Sequence, residues 1–285
     1  MVHSMPLARD RADEAVFRGR AAVPPAGRGP VPLCELREAL ASARIGAVYQ
    51  PIVGMADRAP VAIEVLARLA HPSRGMVVPD LFVPQIEDAG LALPLTEAVC
   101  RAAFADWGDG RLERSGLSLA VNFPLDVLLM PTALTWLDRA RRAAGIPAAR
   151  IVVELTESRP VSRLADLTAA VSRLRGQGYG LAIDDVGPTL RDHRALLALA
   201  FSSLKLDRKL VRDAMDHAVA AAFLRRTIAA AHDAGMLVVA EGIATRRLWA
   251  QMAALAVDQA QGYLVGRPMA AGHVAQWHAA WCAGG

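Results

Sequence analysis

The feature that most narrows the possible folds is a recurrence. From about residue 33 onward, short runs rich in Val, Ile, Leu and Ala alternate with stretches of helical spacing. The apolar runs read as strands at Ala47–Val53, Val61–Leu69, Leu117–Phe123, Ile151–Glu157, Leu181–Val186, Ser203–Asp207, Leu237–Ile243 and Gln259–Leu264. Helices are expected over Leu33–Ile45, Pro79–Ala89, Leu95–Trp107, about 125–144, Ser162–Arg175, Arg194–Ala200, Ala218–Ala234, Thr245–Ala256 and His273–Cys282. Eight strands alternating with helices predict an α/β fold whose parallel sheet closes on itself, a TIM-type barrel of about 250 residues in one domain. An open, doubly wound sheet is the alternative, but no Gly-rich phosphate loop follows the first strand.

The 285 residues accommodate that barrel, and a 54% hydrophobic content is that of a globular chain. Residues 1–30 differ: scattered Arg, Pro24-Pro25, Gly27, Gly29 and Pro30 show no periodicity and predict a flexible tail before a barrel domain at 31–285. No apolar run is long enough to span a bilayer, and the Arg-rich start has no apolar core of a secretory signal. Cys34, Cys100 and Cys282 are odd in number and far apart, which fits a reducing cytoplasm better than a disulfide framework. The net charge of +4 comes almost wholly from Arg, the lysines being Lys205 and Lys209, so DNA or RNA binding is not indicated.

The chemistry sits where the strands end. Glu64, Asn122, Glu154, Asp184 with Asp185, Lys205, Glu241 and Gln261 all fall at or near strand C-termini. In an α/β barrel those ends form the catalytic face. A lone strand-end acid is more often structural. So many acids converging on one face cannot ionise side by side without cations. The candidate ligand atoms are oxygens, which select Mg²⁺ or Mn²⁺ over Zn²⁺ or copper. Asp184 and Asp185 are suited to bridge two ions, which together activate a water and stabilise a leaving oxygen in phosphodiester hydrolysis. Lys205 would orient that water or neutralise phosphate charge, and Arg68 would meet a phosphate oxygen.

These residues resemble a known family. Tyr49-Gln50-Pro51-Ile52-Val53, Glu64-Val65-Leu66-Ala67-Arg68, His71-Pro72, Asn122, Glu154-Leu155-Thr156-Glu157, Asp184-Asp185-Val186-Gly187, Leu204-Lys205-Leu206-Asp207, Ala240-Glu241-Gly242 and Gln261-Gly262-Tyr263 are similar to the successive motifs of the EAL domain, in order and spacing, from about residue 35 to 280. The resemblance implies a modified (β/α)8 barrel and a phosphodiesterase of bacterial signalling. Such an enzyme opens cyclic di-GMP to linear pGpG with Mg²⁺ or Mn²⁺, as two ions. It implies metal ligation by Glu64, Asn122, Glu154, Asp184 and Asp185, and a water network held by Glu241 and Gln261. Lys205 then lies beside the attacking water, and Gln50, Leu66 and Arg68 contact the dinucleotide. Glu157 anchors the loop after the fifth strand. Barrels of this family often pair as homodimers, and a regulatory protein partner is a further expectation.

The sequence departs from the family pattern in three places. The signature triplet reads Glu64-Val65-Leu66, with Val at its centre. Ala244 stands where the family has a second glutamate. The loop Val186-Gly187-Pro188-Thr189-Leu190-Arg191-Asp192 replaces a Gly- and Ser-rich one. Three readings follow: an active cyclic di-GMP phosphodiesterase, a domain that binds cyclic di-GMP without hydrolysing it, and a protein-interaction module. The complete set of acids and the retained Lys205 favour the first.

Overall fold

The computed structural model describes residues 29–156, 164–188 and 193–284, with the side chains of His193 and Arg194 excepted. Nine strands form its sheet: β1 (Ile45–Gly54), β2 (Pro60–His71), β3 (Gly75–Val77), β4 (Ser118–Pro124), β5 (Ile151–Thr156), β6 (Gly180–Val186), β7 (Ser203–Leu206), β8 (Leu237–Ala240) and β9 (Gln259–Gln261). Their order is β1-β9-β8-β7-β6-β5-β4-β2-β3, and a β1–β2 pairing closes the ring. The result is an eight-stranded α/β barrel with β3 as a flap on the outer end of β2.

Around it run α1 (Leu33–Ala41), α2 (Val83–Asp88), α3 (Ala92–Gly108), α4 (Leu125–Leu128), α5 (Pro131–Ala143), α6 (Leu164–Gly176), α7 (His193–Leu197), α8 (Arg208–Asp213), α9 (Ala218–Asp233), α10 (Arg246–Ala254) and α11 (Ala271–Ala283). The core follows from strand alternation. On β4, Leu119, Val121 and Phe123 are buried on one face, while Ala120 and Asn122 lie on the other. The same spacing sets Ala62, Ala182 and Ser203 two residues before Glu64, Asp184 and Lys205. Small residues at these three positions leave room beneath the polar side chains.

The expectation of a wholly parallel sheet is corrected. β1 is antiparallel to both β2 and β9, whereas β2 and β4 through β9 run parallel. Only a short turn joins Gly54 to Pro60, and a parallel connection needs a crossover of a dozen or more residues.

Several boundaries also shift. Helix α1 stops at Ala41, before Ala43 takes a positive φ of 53°. The expected 79–89 helix is a 3₁₀ turn at Pro79–Leu81 followed by α2. The stretch at 125–144 divides at Pro131, which sits at the start of α5. The strands expected to reach Ile243 and Leu264 end at Ala240 and Gln261. Helix α8 was not anticipated; the Asp207 carboxylate starts it by accepting from the Lys209 and Leu210 amides.

Residues 1–28, where the flexible tail was expected, lie outside the described residues. So do Glu157 and the loop positions Thr189–Asp192. Among the described residues no helix is long and apolar enough to cross a membrane.

Candidate active site

The C-terminal ends of the parallel strands converge on the Lys205 ammonium. Its Nζ lies 2.8 Å from Glu241, 3.0 Å from Asp184, 3.1 Å from Glu154 and 3.6 Å from Glu64. Lys205 is 1% exposed and Glu154 1% exposed, so this is an interior cluster. Glu64 has both oxygens occupied: Asn122 Nδ2 donates to Oε1 at 3.0 Å, and Gln261 Nε2 donates to Oε2 at 2.6 Å.

One cation among four carboxylates leaves the ring short of positive charge. Burial pushes the Glu64 carboxyl upward, but Lys205 and the two amides outweigh it and hold Glu64 below the usual carboxylate range. The others go the opposite way. Burial drives Glu154 well above its ordinary value and raises Asp184, with neighbouring acids adding to the effect of each. Glu241 is pushed up to about 8 by burial, with Asp184 and Glu64 adding to it. Asp185 is raised to about 6 by burial and by Asp184. For Lys205, burial works against the charged form, yet the carboxylates lift it well above its ordinary value.

Two sets of oxygens lie within 4.8 Å of one another: Glu64 with Glu154 and Asp184, and Asp184 with Asp185 and Glu241. They share Asp184. Every donor is a hard oxygen, the chemistry that suits Mg²⁺ or Mn²⁺. Gln261 Oε1 is buried without a hydrogen-bond partner. A buried acceptor of this kind calls for a donor such as a bound water. The residues present thus fit divalent cations.

The pair Asp184-Asp185 needs a local irregularity. Consecutive residues of a regular strand face opposite sides. Here the β6–β7 register breaks between Ile183 and Val186, and Asp185 takes φ 52° in the left-handed region. This bulge swings the second carboxylate into reach of Asp184 and Glu241. The Asp185 amide donates back to Asp184 Oδ1 at 3.0 Å.

The residues expected to contact a substrate lie on β1 and β2. Gln50 pairs directly with Glu64 across β1–β2; its Nε2 donates to the Gly266 carbonyl at 3.1 Å, and its Oε1 accepts from Gln261 at 3.3 Å. Glu64, Leu66 and Arg68 share one face of β2 by the two-residue period. Leu66 and Arg68 are half-buried. Burial lowers the Arg68 guanidinium, while Tyr263, Glu64 and Asp80 act to raise it.

Tyr263 received no role in the sequence reading. It is 58% exposed, and the Arg267 guanidinium lies 4.2 Å from its ring centroid. The signal was an aromatic residue directly after a strand-end Gln-Gly pair. Gly262 holds the turn: its φ is 154°, and a Cβ there would lie 2.3 Å from the Ile243 backbone. Ala244, in the place of the family's second glutamate, is exposed.

Comparison with known proteins places this arrangement. The model of the EAL domain matches residues 33–268. The cyclic di-GMP phosphodiesterase PA2567 of Pseudomonas aeruginosa is 30% identical over 230 residues, covering 81% of this chain and 39% of that protein. The cyclic di-GMP phosphodiesterase NbdA of the same organism is 30% identical over 236 residues, covering 82% of this chain and 30% of that protein. The chain thus spans well under half the length of these curated relatives. Among solved structures, the PaMucR phosphodiesterase in complex with c-di-GMP superposes with a TM-score of 0.76 at 27% identity, covering 83% of this chain and 96% of that one.

Proposed function

The chain belongs to the EAL domain family, and from that premise we propose that it hydrolyses cyclic di-GMP to linear pGpG with two divalent cations. The observation that carries this reading is the Lys205 ring: four carboxylates from four strand ends about one ammonium, with two oxygen sets that share Asp184. Glu64, Asn122, Glu154 and Asp184 would hold one ion, and Asp184 with Asp185 the other. Glu241 and Gln261 order the water around them. Bound Mg²⁺ or Mn²⁺ supplies Lewis acidity, which makes a water a competent nucleophile near neutral pH and stabilises charge on the phosphoryl oxygens.

The chain's own residues do the positioning. Lys205 directs its three N–H donors at carboxylates here, so it would donate to the attacking water or to a phosphate oxygen once a cation takes up one of those carboxylate oxygens. Arg68 and Gln50 orient the dinucleotide at the mouth, and Leu66 offers an apolar surface to it. One water is added, one P–O3′ bond breaks, and the freed 3′ oxygen takes a proton.

The test is to incubate purified protein with Mn²⁺ or Mg²⁺ and cyclic di-GMP, and resolve the products chromatographically. Wild type gives pGpG, and Glu64→Ala gives none. Ala244 and the Val186-Gly187-Pro188 start of the following loop favour a second reading, a sensor. Micromolar binding without turnover would select that reading and reject the hydrolase.

A further inference from the structure

We propose that Glu35 and His71 are positioning residues that hold the outer half of β2, and with it Arg68, at the mouth of the site. This rests on the reading of Arg68 as a contact for the dinucleotide.

Strand β2 is unevenly supported. One edge pairs with β1 along its length. The other pairs with β4 only from Ala62 to Val65, and with β3 only from Leu69 to His71. Leu66 to Arg68 therefore have no ladder partner on that edge among the described strands. The Ala67 carbonyl there accepts from the Arg68 guanidinium instead, at 2.8 Å. An interrupted edge gives a ligand room, but it leaves Arg68 dependent on what clamps the strand beyond it.

That clamp is the segment Gly29–Glu35. His71 is buried, and its Nδ1 accepts from the Ser73 and Arg74 amides at 3.2 Å each, which fixes the β2–β3 turn. With Nδ1 used as an acceptor, Nε2 carries the proton and donates to Glu35 Oε2 at 2.5 Å. Two further bonds act alongside it. Arg74 Nη1 donates to the Gly29 carbonyl at 2.8 Å, and the Val31 amide donates to the Leu81 carbonyl at 3.2 Å. Leu81 belongs to the same 3₁₀ turn as Asp80, one of the charges acting on Arg68. The strap thus grips both features that flank the arginine: the β3 flap and the Asp80 turn.

Glu35 is the residue to change, because its side chain is 40% exposed and packs no core. The full chain is compared as wild type, Glu35→Ala and Glu35→Gln in two measurements. Hydrogen exchange reads the amides of Leu66–Leu69. Steady-state kinetics with Mn²⁺ compares cyclic di-GMP with bis(p-nitrophenyl) phosphate, which is too small to need Arg68.

Glu35→Ala is expected to speed exchange about tenfold, the loss of one hydrogen bond to a carboxylate. It should also raise KM for cyclic di-GMP about 3- to 10-fold with kcat nearly unchanged, and leave the small substrate unaffected. Glu35→Gln, whose amide oxygen accepts from the same Nε2–H, should restore both. Unchanged exchange, or equal losses on both substrates that Gln does not rescue, would overturn the proposal. A wild type that neither binds nor cleaves cyclic di-GMP would sink the phosphodiesterase reading instead. Exchange would then decide the strap alone, standing if Ala speeds it and falling if it does not.

Discussion

At the scale of single residues, the site is a balance that the protein alone leaves negative. Four carboxylates contact Lys205, and all are at least four-fifths buried. Such clusters reduce stability for the sake of function. Glu154→Gln removes an acid whose ionised form burial and the neighbouring carboxylates disfavour, and keeps an oxygen to accept from Lys205. Metal-free Glu154→Gln protein should therefore resist urea better than wild type by about 0.5–2 kcal/mol. Its hydrolysis should fall by at least the roughly 100-fold that loss of even an outer metal partner costs. A destabilised variant would show that the acids are satisfied without cations. Asp185 poses a different question, because its carboxylate depends on a left-handed backbone. Asn tolerates φ near 52° almost as well as Asp, whereas a β-branched residue does not. Asp185→Asn should resist urea at neutral pH at least as well as wild type, because it removes a carboxylate that burial and Asp184 disfavour, while losing activity. Asp185→Val should cost about 1–3 kcal/mol as well. Equal stability of the two would mean the bulge relaxes freely.

At the scale of elements, helix α5 is tied to the start of β6 by a buried polar link. Arg141 Nε donates to the Tyr179 hydroxyl at 2.8 Å and Nη2 contacts Asp138 at 2.5 Å; Tyr179 OH reaches the same Asp138 at 3.3 Å. Burial pushes the Tyr179 phenol up to about 12, against its ordinary 10, with Asp138 adding to the effect. The folded state therefore keeps the proton more tightly than the unfolded one. That contribution is fully present below about pH 10 and is lost as pH rises towards 12. Tyr179→Phe should lower stability at neutral pH by about 1–3 kcal/mol, since it strips Arg141 and Asp138 of a partner. The gap between the two proteins should narrow between pH 10 and 12, as followed by urea unfolding at each pH; a constant gap would rule out the phenol as its source. This link was invisible in the sequence, because Asp138, Arg141 and Tyr179 meet only once α5 has packed. Other elements were legible for local reasons. Apolar runs marked the strands, and Pro131 could have marked the division before α5. The direction of β1 was also within reach, since the short connection from Gly54 to Pro60 leaves no room for a crossover.

At the scale of the whole molecule, closure of the sheet turns residues far apart in sequence into one site. Each of Glu64, Asn122, Glu154, Asp184, Lys205, Glu241 and Gln261 could be singled out beforehand, because a parallel barrel presents its strand C-termini on one face. What the sequence could not supply was their mutual distance. Nor could it reveal the bulge at Asp185, the orphaned Gln261 oxygen, or the coupling of Gly29–Glu35 to Arg68, all products of packing. The same closure makes a global prediction. If Glu64, Asn122, Glu154 and Asp184 hold an ion as proposed, that ion would tie β2, β4, β5 and β6 together, and unfolding would have to release it. A cation that binds only the folded state adds about 2.7 kcal/mol at a hundredfold excess over its Kd. For a chain of this size that is about 4–5 °C in Tm. Millimolar Mn²⁺ should raise the melting temperature by this amount, and EDTA should reverse it. Asp184→Asn, which removes the carboxylate common to both oxygen sets, should melt at one temperature with or without the metal. A wild type indifferent to Mn²⁺ would mean that Lys205 alone closes the ring, and that the oxygen sets are too tightly held by its ammonium to admit a cation.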